Sequence, residues 1–171
     1  MSVRLEEFGQ IKSVKGVSVC TFLAERKVAE RQAHAASECL AKSGYTADIQ
    51  VVNDKSNPFQ KGSSLVLWAE TDKGAMIGAD AIGELKKPSE AVGREAAEKL
   101  AVELSIKPTV DVYLADMLIP YIAVAEGASC FLTRAVSDHL ETNVWLAEKI
   151  LGVRFSLQKH GSLFKIEKHG N

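Results

Sequence analysis

Hydrophobic residues change their spacing repeatedly along this chain, and the alternation restricts the folds that the chain can adopt. Within 17–21, valines and a threonine alternate with a serine and a cysteine, which is the period-two pattern of a half-buried strand. Within 24–42, alanines and a leucine recur three and four residues apart, which predicts an amphipathic helix. The same changes of period continue along the chain and predict the order βαβββα followed by αβαββ. This mixture is typical of an α+β or open α/β fold whose sheets are covered by helices on one side.

The predicted elements leave one soft boundary, near Lys107-Pro108, where two helices are interrupted. The longest apolar run, Leu114–Ala125, is too short to span a membrane, and we expect it to form a buried helix. The other predicted elements are strands within 10–22, 47–51 and 129–135, a hairpin over 63–82 that turns at 72–74, helices over 24–42, from Pro88, over 111–126 and up to 151, and a hairpin over 153–166. The helix that starts at Pro88 has a predicted apolar line of Val92, Ala96, Leu100 and Leu104.

Charge and cysteine content exclude several classes of protein. The chain has 21 Lys+Arg and 22 Asp+Glu, so the formal charge is −1, and any contact with RNA or DNA has to be local rather than spread over a basic surface. Three scattered cysteines without a C-x-x-C pair predict neither a disulfide framework nor a zinc site. This cysteine usage is typical of a reducing compartment, so we expect a cytoplasmic protein that does not enter a membrane.

The third predicted helix combines an acidic residue with an internal proline. Pro120 has no N–H and cannot donate to the carbonyl of Asp116, four residues earlier, so we expect a kinked or broken helix there. Tyr113 and Asp116 are three residues apart and share a helix face. Two interpretations of Asp116 stay open: its carboxylate caps a neighbouring loop, or it faces a ligand.

The segment 137–143 joins a predicted strand to a predicted helix and contains His139. Asp138 followed by Glu141 matches a capping box, which would place His139 in the first helical turn, where backbone N–H groups favour an anion. If Thr142 or Asn143 is the cap instead, His139 lies on the entering loop. A neutral imidazole beside a phosphate can act as a nucleophile or a general base, and the alternative is a surface histidine without a role.

Together these stretches resemble one family closely. Tyr113–Pro120 (YLADMLIP) and Ser137–Trp145 (SDHLETNVW) resemble the C-terminal signatures of RNA 3′-terminal phosphate cyclases, and 78–84 and 90–97 are similar to archaeal members. The resemblance is densest from Gly62 to Trp145. It implies a small inserted α/β domain of thioredoxin-like fold, followed by the last βαβαββ-type repeat of the RNA cyclase and enolpyruvate transferase-like fold. The implied division is an N-terminal tail at 1–8, the inserted domain with its connecting helix at 9–104, and the C-terminal repeat that carries the nucleophile at 105–171.

The same resemblance implies an activity and its residues. The family uses ATP to convert an RNA 3′-phosphate into a 2′,3′-cyclic phosphate, with a divalent metal, usually Mg²⁺, and a covalent histidine–AMP intermediate. The nucleophile's position in the family motif is His139 here. A Tyr-Leu-Ala-Asp-Gln stretch contributes to the ATP/AMP pocket in many members, and Met117 stands here where those members have Gln. The implied pocket residues are Tyr113, Leu114, Ala115, Asp116 and Met117.

Family members are considerably longer than this chain and carry an N-terminal half that has no counterpart here. The implied partners are therefore RNA 3′-phosphate ends and the missing N-terminal half, with a second copy of the chain in a homodimer as a further candidate. Three hypotheses follow: an RNA cyclase or its C-terminal half, a non-catalytic relative that acts in RNA processing, or a folded fragment that self-associates through the helix at 114–125. Because non-catalytic relatives lack the nucleophile, the presence of His139 favours the first hypothesis.

Overall fold

A computed structural model of the protein describes residues 2–56 and 59–170, and it confirms the predicted order of elements with one strand added at the start. A short 3-10 helix, Ala24–Arg26, precedes α1. The strands are β1 (Arg4–Leu5), β2 (Ile11–Thr21), β3 (Ala47–Asp54), β4 (Gly62–Thr71), β5 (Met76–Ile82), β6 (Ser129–Thr133), β7 (Phe155–His160) and β8 (Leu163–Lys168), and the helices are α1 (Val28–Lys42), α2 (Ser89–Ile106), α3 (Val112–Val124) and α4 (Asp138–Leu151).

The chain divides into two compact units, each of which has its own sheet. Unit 1 comprises the described residues within Met1–Gln10, Thr71–Ile77 and Ile106–Asn171, and unit 2 comprises those within Ile11–Glu70 and Gly78–Ser105.

Unit 2 is built on the strand order β3-β2-β4-β5. Strands β2 and β3 are parallel, so α1 is the crossover that parallel neighbours require. The hairpin of β4 and β5 is as predicted: the Thr71 N–H donates to the Ala75 carbonyl over 3.0 Å, and Gly74 has a φ of 84°. The predicted helix over 24–42 is split, because Lys27 adopts a left-handed φ of 50° between the 3-10 helix and α1.

Helices α1 and α2 of unit 2 approach each other closely. The predicted apolar line of α2 is buried throughout, at Val92, Ala96, Leu100 and Leu104. Beside it, Gly93 leaves room for the backbone of α1, since a Cβ there would lie 2.2 Å from the Gln32 carbonyl oxygen. A glycine is therefore required at this position by the contact between helices rather than by a turn.

Unit 1 is built on the strand order β1-β6-β8-β7, and the terminal hairpin of β7 and β8 is as predicted. The segment expected to be an N-terminal tail contains β1, which pairs in parallel with β6. Two bonds extend this pairing: the Cys130 N–H donates to the Val3 carbonyl over 2.8 Å, and the Val3 N–H donates to the Ser129 hydroxyl over 3.1 Å. With β1 included, unit 1 has the order β1, α3, β6, α4, β7, β8.

The two helices of unit 1 bury only one side each. Helix α3 was expected to be buried, but it packs its Ala115, Ile119, Ile122 and Ala123 side against the core and leaves the other side exposed among the described residues. Four exposed residues follow helical spacing along that side and are hereafter called the α3 stripe: Tyr113, Met117, Tyr121 and Val124. Within the described part of the chain, no helix is both long and apolar enough to cross a membrane.

Candidate functional site

The start of α4 is capped by a residue that the sequence analysis did not choose. Ser137 has extended backbone angles, and its hydroxyl accepts a hydrogen bond from the Leu140 N–H over 3.0 Å. The expected capping box is therefore wrong: Asp138 is the first helical residue rather than the cap. His139 is the second residue of α4 and lies exposed in the first turn, where the unpaired N–H groups of a helix favour an anion.

Asp116 connects α3 to this helix start. The Ser137 hydroxyl donates to Asp116 Oδ1 over 2.5 Å while it accepts from the first turn of α4. The Asp116 carboxylate thus fixes the residue that positions His139, two residues further along the chain. Of the two interpretations of Asp116, this contact matches the one in which its carboxylate caps a neighbouring loop. The side chain is half-buried, so solvent still reaches it.

Pro120 does not break α3, which is continuous from Val112 to Val124. The Asp116 carbonyl that Pro120 leaves without its helical donor accepts instead from Asn143 Nδ2 over 3.0 Å. A side chain of α4 therefore replaces the backbone N–H that the proline lacks. Asp116 is held by α4 twice, through its carboxylate and through its carbonyl.

Ser137 and Asn143 are the residues that the sequence analysis missed as parts of this arrangement. The sequence did indicate that a donor was needed, because Pro120, four residues after Asp116, leaves the Asp116 carbonyl without its helical N–H. The identity of that donor depends on how two helices pack, and the sequence does not give this.

The predicted pocket residues of α3 separate into two groups. Tyr113 and Met117 are 70% and 64% exposed and lie one turn apart, so both side chains can contact a bound molecule. Ala115 is fully buried in the core, and Leu114 packs against that core from a partly buried position. Asp116 lies between these groups and joins them to the start of α4.

Carboxylates near His139 do not assemble into a metal centre. Asp138 and Glu141 are exposed on the first turn of α4, and one oxygen of Asp116 already accepts from Ser137. Among the described residues, no group of three or more His, Cys, Asp or Glu side chains is placed to hold a metal ion.

Comparison with known proteins gives one consistent result. The model of the RNA 3′-terminal phosphate cyclase (RTC) insert domain matches residues 6–105. The chain is 46% identical to the RNA 3′-terminal phosphate cyclase of Pyrobaculum neutrophilum over 166 residues, which are 96% of this chain and 47% of that protein. The corresponding proteins of Methanopyrus kandleri and Thermococcus onnurineus are 42% and 41% identical, over 94% and 89% of this chain and 47% and 43% of theirs. The chain thus spans about half the length of these curated relatives, and over that span it belongs to the RNA 3′-terminal phosphate cyclase family.

Proposed function

We propose that this chain is the C-terminal part of an RNA 3′-terminal phosphate cyclase that uses ATP to close an RNA 3′-phosphate onto the neighbouring 2′-hydroxyl. The relatives match nearly the whole of this chain, and their names support RNA 3′-phosphate ends as the substrate class. One structural observation carries the assignment of the site. His139 is exposed in the first turn of α4, and the start of that helix is fixed by the bond from Ser137 to Asp116.

The proposed chemistry begins with His139 as nucleophile. A ring nitrogen attacks the α-phosphorus of ATP, a P–N bond forms, and the bond to pyrophosphate breaks. The AMP group then passes to an oxygen of the RNA 3′-phosphate and frees the imidazole. The RNA 2′-hydroxyl then loses its proton and attacks the phosphorus of the RNA 3′-phosphate, and the bond from that phosphorus to AMP breaks, which leaves the 2′,3′-cyclic phosphate. The N–H groups in the first turn of α4 suit the phosphate oxygens during both transfers.

The residues of α3 take different parts in this proposal. Tyr113 and Met117 pack against the adenosine from the exposed side of the helix. Asp116 positions the start of α4. Among the pocket residues of α3, it is also the side chain best suited to accept a hydrogen bond from the nucleotide. Leu114 and Ala115 support them from the core. Mg²⁺ supplies charge neutralisation on the departing pyrophosphate when it is bound.

The domain assignment is part of the same proposal. The inserted domain is taken as 9–104, which includes nearly all of unit 2, and the parallel βαβ unit followed by a hairpin and a helix supports a thioredoxin-like fold. The C-terminal repeat at 105–171 takes β1 as its first strand, which supports a βαβαββ repeat.

The proposed partner is the N-terminal half of the longer relatives. The α3 stripe is apolar and exposed, and a surface of this kind is typical of an interface. Half of each relative's length lies outside the match, so a segment long enough to cover the stripe exists in those proteins. A second copy of this chain is the competing occupant. Sedimentation of the chain alone and with an added N-terminal half distinguishes a heterodimer from a concentration-dependent homodimer.

Intact-mass spectrometry after incubation with ATP and Mg²⁺ tests the function. We expect a mass gain of one AMP when the N-terminal half of a relative is supplied, and loss of that gain in His139→Ala. The matched control is His160→Ala, which removes an exposed histidine at the end of β7 and should label normally. Covalent AMP retained by His139→Ala contradicts the assignment. Absence of labelling in every mixture favours the non-catalytic hypothesis.

A further inference from the structure

Unit 2 contains a cavity of about 760 Å³ that the proposed cyclisation chemistry does not use. Its walls come from the segment between β2 and α1, the first turns of α1, the start of β4 and the loop that leads from β5 into α2. All of its lining residues belong to unit 2, whereas His139 belongs to unit 1. The volume lies within the range of pockets that enclose small molecules, and it greatly exceeds the space needed by one phosphate.

The lining of this cavity is strongly basic in a chain whose formal charge is −1. Two acidic side chains, Glu25 and Glu84, also line it. The five basic lining residues are Arg26, Arg31, Lys61, Lys86 and Lys87. The positive charge of the protein is thus concentrated locally, as the sequence analysis required for any contact with RNA.

Two of these five cations are already engaged. Arg31 binds Glu90 through two hydrogen bonds of 2.6 and 2.8 Å, which lower the pKa of Glu90 to about 2. Lys87 pairs with Glu95 and, over 3.3 Å, with Glu84. The charges of both cations are therefore compensated within the protein.

The other three cations have no such compensation. Arg26, Lys61 and Lys86 are exposed, and no carboxylate in residues 2–56 and 59–170 forms an ion pair with any of them. Three uncompensated cations around one concave surface attract an anion that carries several separated charges.

The inner surface of the cavity is held in place by buried polar contacts. Gln32 is fully buried, donates to the Ser63 hydroxyl over 2.8 Å and accepts from the Ser18 hydroxyl over 3.0 Å. Gly83 packs against the same serine, because a Cβ at that position would lie 2.2 Å from Ser63 Oγ. The cavity is therefore a formed part of unit 2, and a ligand would not have to create it.

Apolar side chains complete the lining. Phe22 and Leu85 line the same cavity as the cations. Phe22 is 49% exposed, and Leu85 is almost fully exposed. Phe22 also adopts a left-handed φ of 56° and Lys86 one of 69°, a backbone conformation that side chains of this size seldom adopt. An exposed aromatic ring beside cations is the combination that binds single-stranded nucleic acid, since the ring stacks on a base while the cations contact phosphates.

We propose that this cavity binds the backbone of single-stranded RNA, with Arg26, Lys61 and Lys86 contacting phosphates and Phe22 stacking on a base. The choice of RNA as the polyanion rests on the proposed function. The site itself rests on the charges, the exposed ring and the fixed inner surface. Contacts of this kind would read no base sequence.

Fluorescence anisotropy with a short, unstructured RNA that ends in a 3′-hydroxyl tests the site on the chain as it exists. Because this RNA lacks a 3′-phosphate, binding is measured independently of adenylylation and cyclisation. The triple variant Arg26→Gln/Lys61→Gln/Lys86→Gln should bind about tenfold more weakly and reduce the slope of log K against log salt by about two, the value for three lost contacts to a single strand. Phe22→Ala should weaken binding about fivefold without changing that slope.

The matched control is Lys12→Gln/Lys42→Gln/Arg94→Gln, which removes the same charge from exposed positions of unit 2 that do not line the cavity. Equal weakening by the two triple variants would mean diffuse attraction and would overturn the site, provided that both retain the parent melting temperature. Absence of binding by the parent chain also overturns it. Displacement of the RNA by millimolar inorganic phosphate alone would reassign the cavity to small anions. Loss of labelling at His139 with intact RNA binding refutes the proposed function and leaves the RNA site standing.

Discussion

The bond from Asn143 to the Asp116 carbonyl gives a sharp test of how α3 tolerates its proline. Residue 120 would ordinarily donate to that carbonyl, and Pro120 cannot. Asn143 Nδ2 supplies the missing bond over 3.0 Å from a half-buried position. Asn143→Ala leaves a partly buried carbonyl without its donor, so we expect a loss of about 1–2 kcal/mol in the free energy of unfolding.

The companion change is Pro120→Ala, which returns an N–H to the helix. Proline inside a helix costs about 3 kcal/mol of stability relative to alanine. Replacing it also raises the conformational entropy of the unfolded chain, which offsets about 1 kcal/mol of the expected gain in stability. With the backbone donor restored, Asn143→Ala should cost only about 0.5 kcal/mol in this background. The double-mutant cycle should therefore give a coupling of about 1 kcal/mol between residues 120 and 143.

Urea denaturation followed by tryptophan fluorescence measures this cycle. The chain has two tryptophans, Trp68 in unit 2 and Trp145 in unit 1, so a Trp68→Phe background makes the signal report on unit 1 alone. Thr142→Ala is the matched control, since it removes an exposed neighbour whose hydroxyl donates to the Asp138 carbonyl of its own helix, and it should change stability by less than about 0.5 kcal/mol. Equal losses for Asn143→Ala in the two backgrounds would refute the reasoning.

Three further predictions concern packing and charge. Gly93→Ala should destabilise the protein by about 1–3 kcal/mol in thermal unfolding, because its Cβ would meet a carbonyl oxygen of α1 at 2.2 Å; unchanged stability would mean that the helices separate freely. Lys168→Met should cost about 1–3 kcal/mol, since the buried ammonium donates over 2.9 and 3.0 Å to the carbonyls of Ala125 and Gly127 after α3, and a neutral result would contradict that role. Two lysine partners lower the pKa of Glu95 to about 2, so its contribution to stability is full above its unfolded pKa of 4.5 and is lost as the pH falls toward 2; urea midpoints of Glu95→Gln should depend less on pH over that interval.

Several features of the fold could be predicted from local sequence because the forces that set them are local. The helical spacing of Val92, Ala96, Leu100 and Leu104 identified the buried face of α2 correctly, since burial selects one stripe of a helix. The turn residues before Gly74 predicted the hairpin of β4 and β5. The stretches at 78–84, 90–97, 113–120 and 137–145 together identified the family, which the relatives support over nearly the whole chain.

Other features depend on contacts between segments that are far apart in the sequence. Strand β1 has only two residues, Arg4 and Leu5, and no periodicity can be read from two positions; its pairing with β6 defines it. The same applies to the choice of Ser137 over Asp138 as the cap of α4, because both residues suit that position and the Asp116 carboxylate on another helix favours the serine.

The sequence by itself therefore determined the order of the elements from β2 onward, the buried face of α2, the carbonyl left free by Pro120, and the family. Tertiary structure decided which side chain satisfies that carbonyl, which side of α3 stays exposed, and that Arg26, Lys61 and Lys86 meet around one cavity. The physical reason is the range of the interactions. Periodicity and turn chemistry act between residues a few positions apart, whereas hydrogen-bond partners and charge clusters form between residues that only the packed backbone brings together.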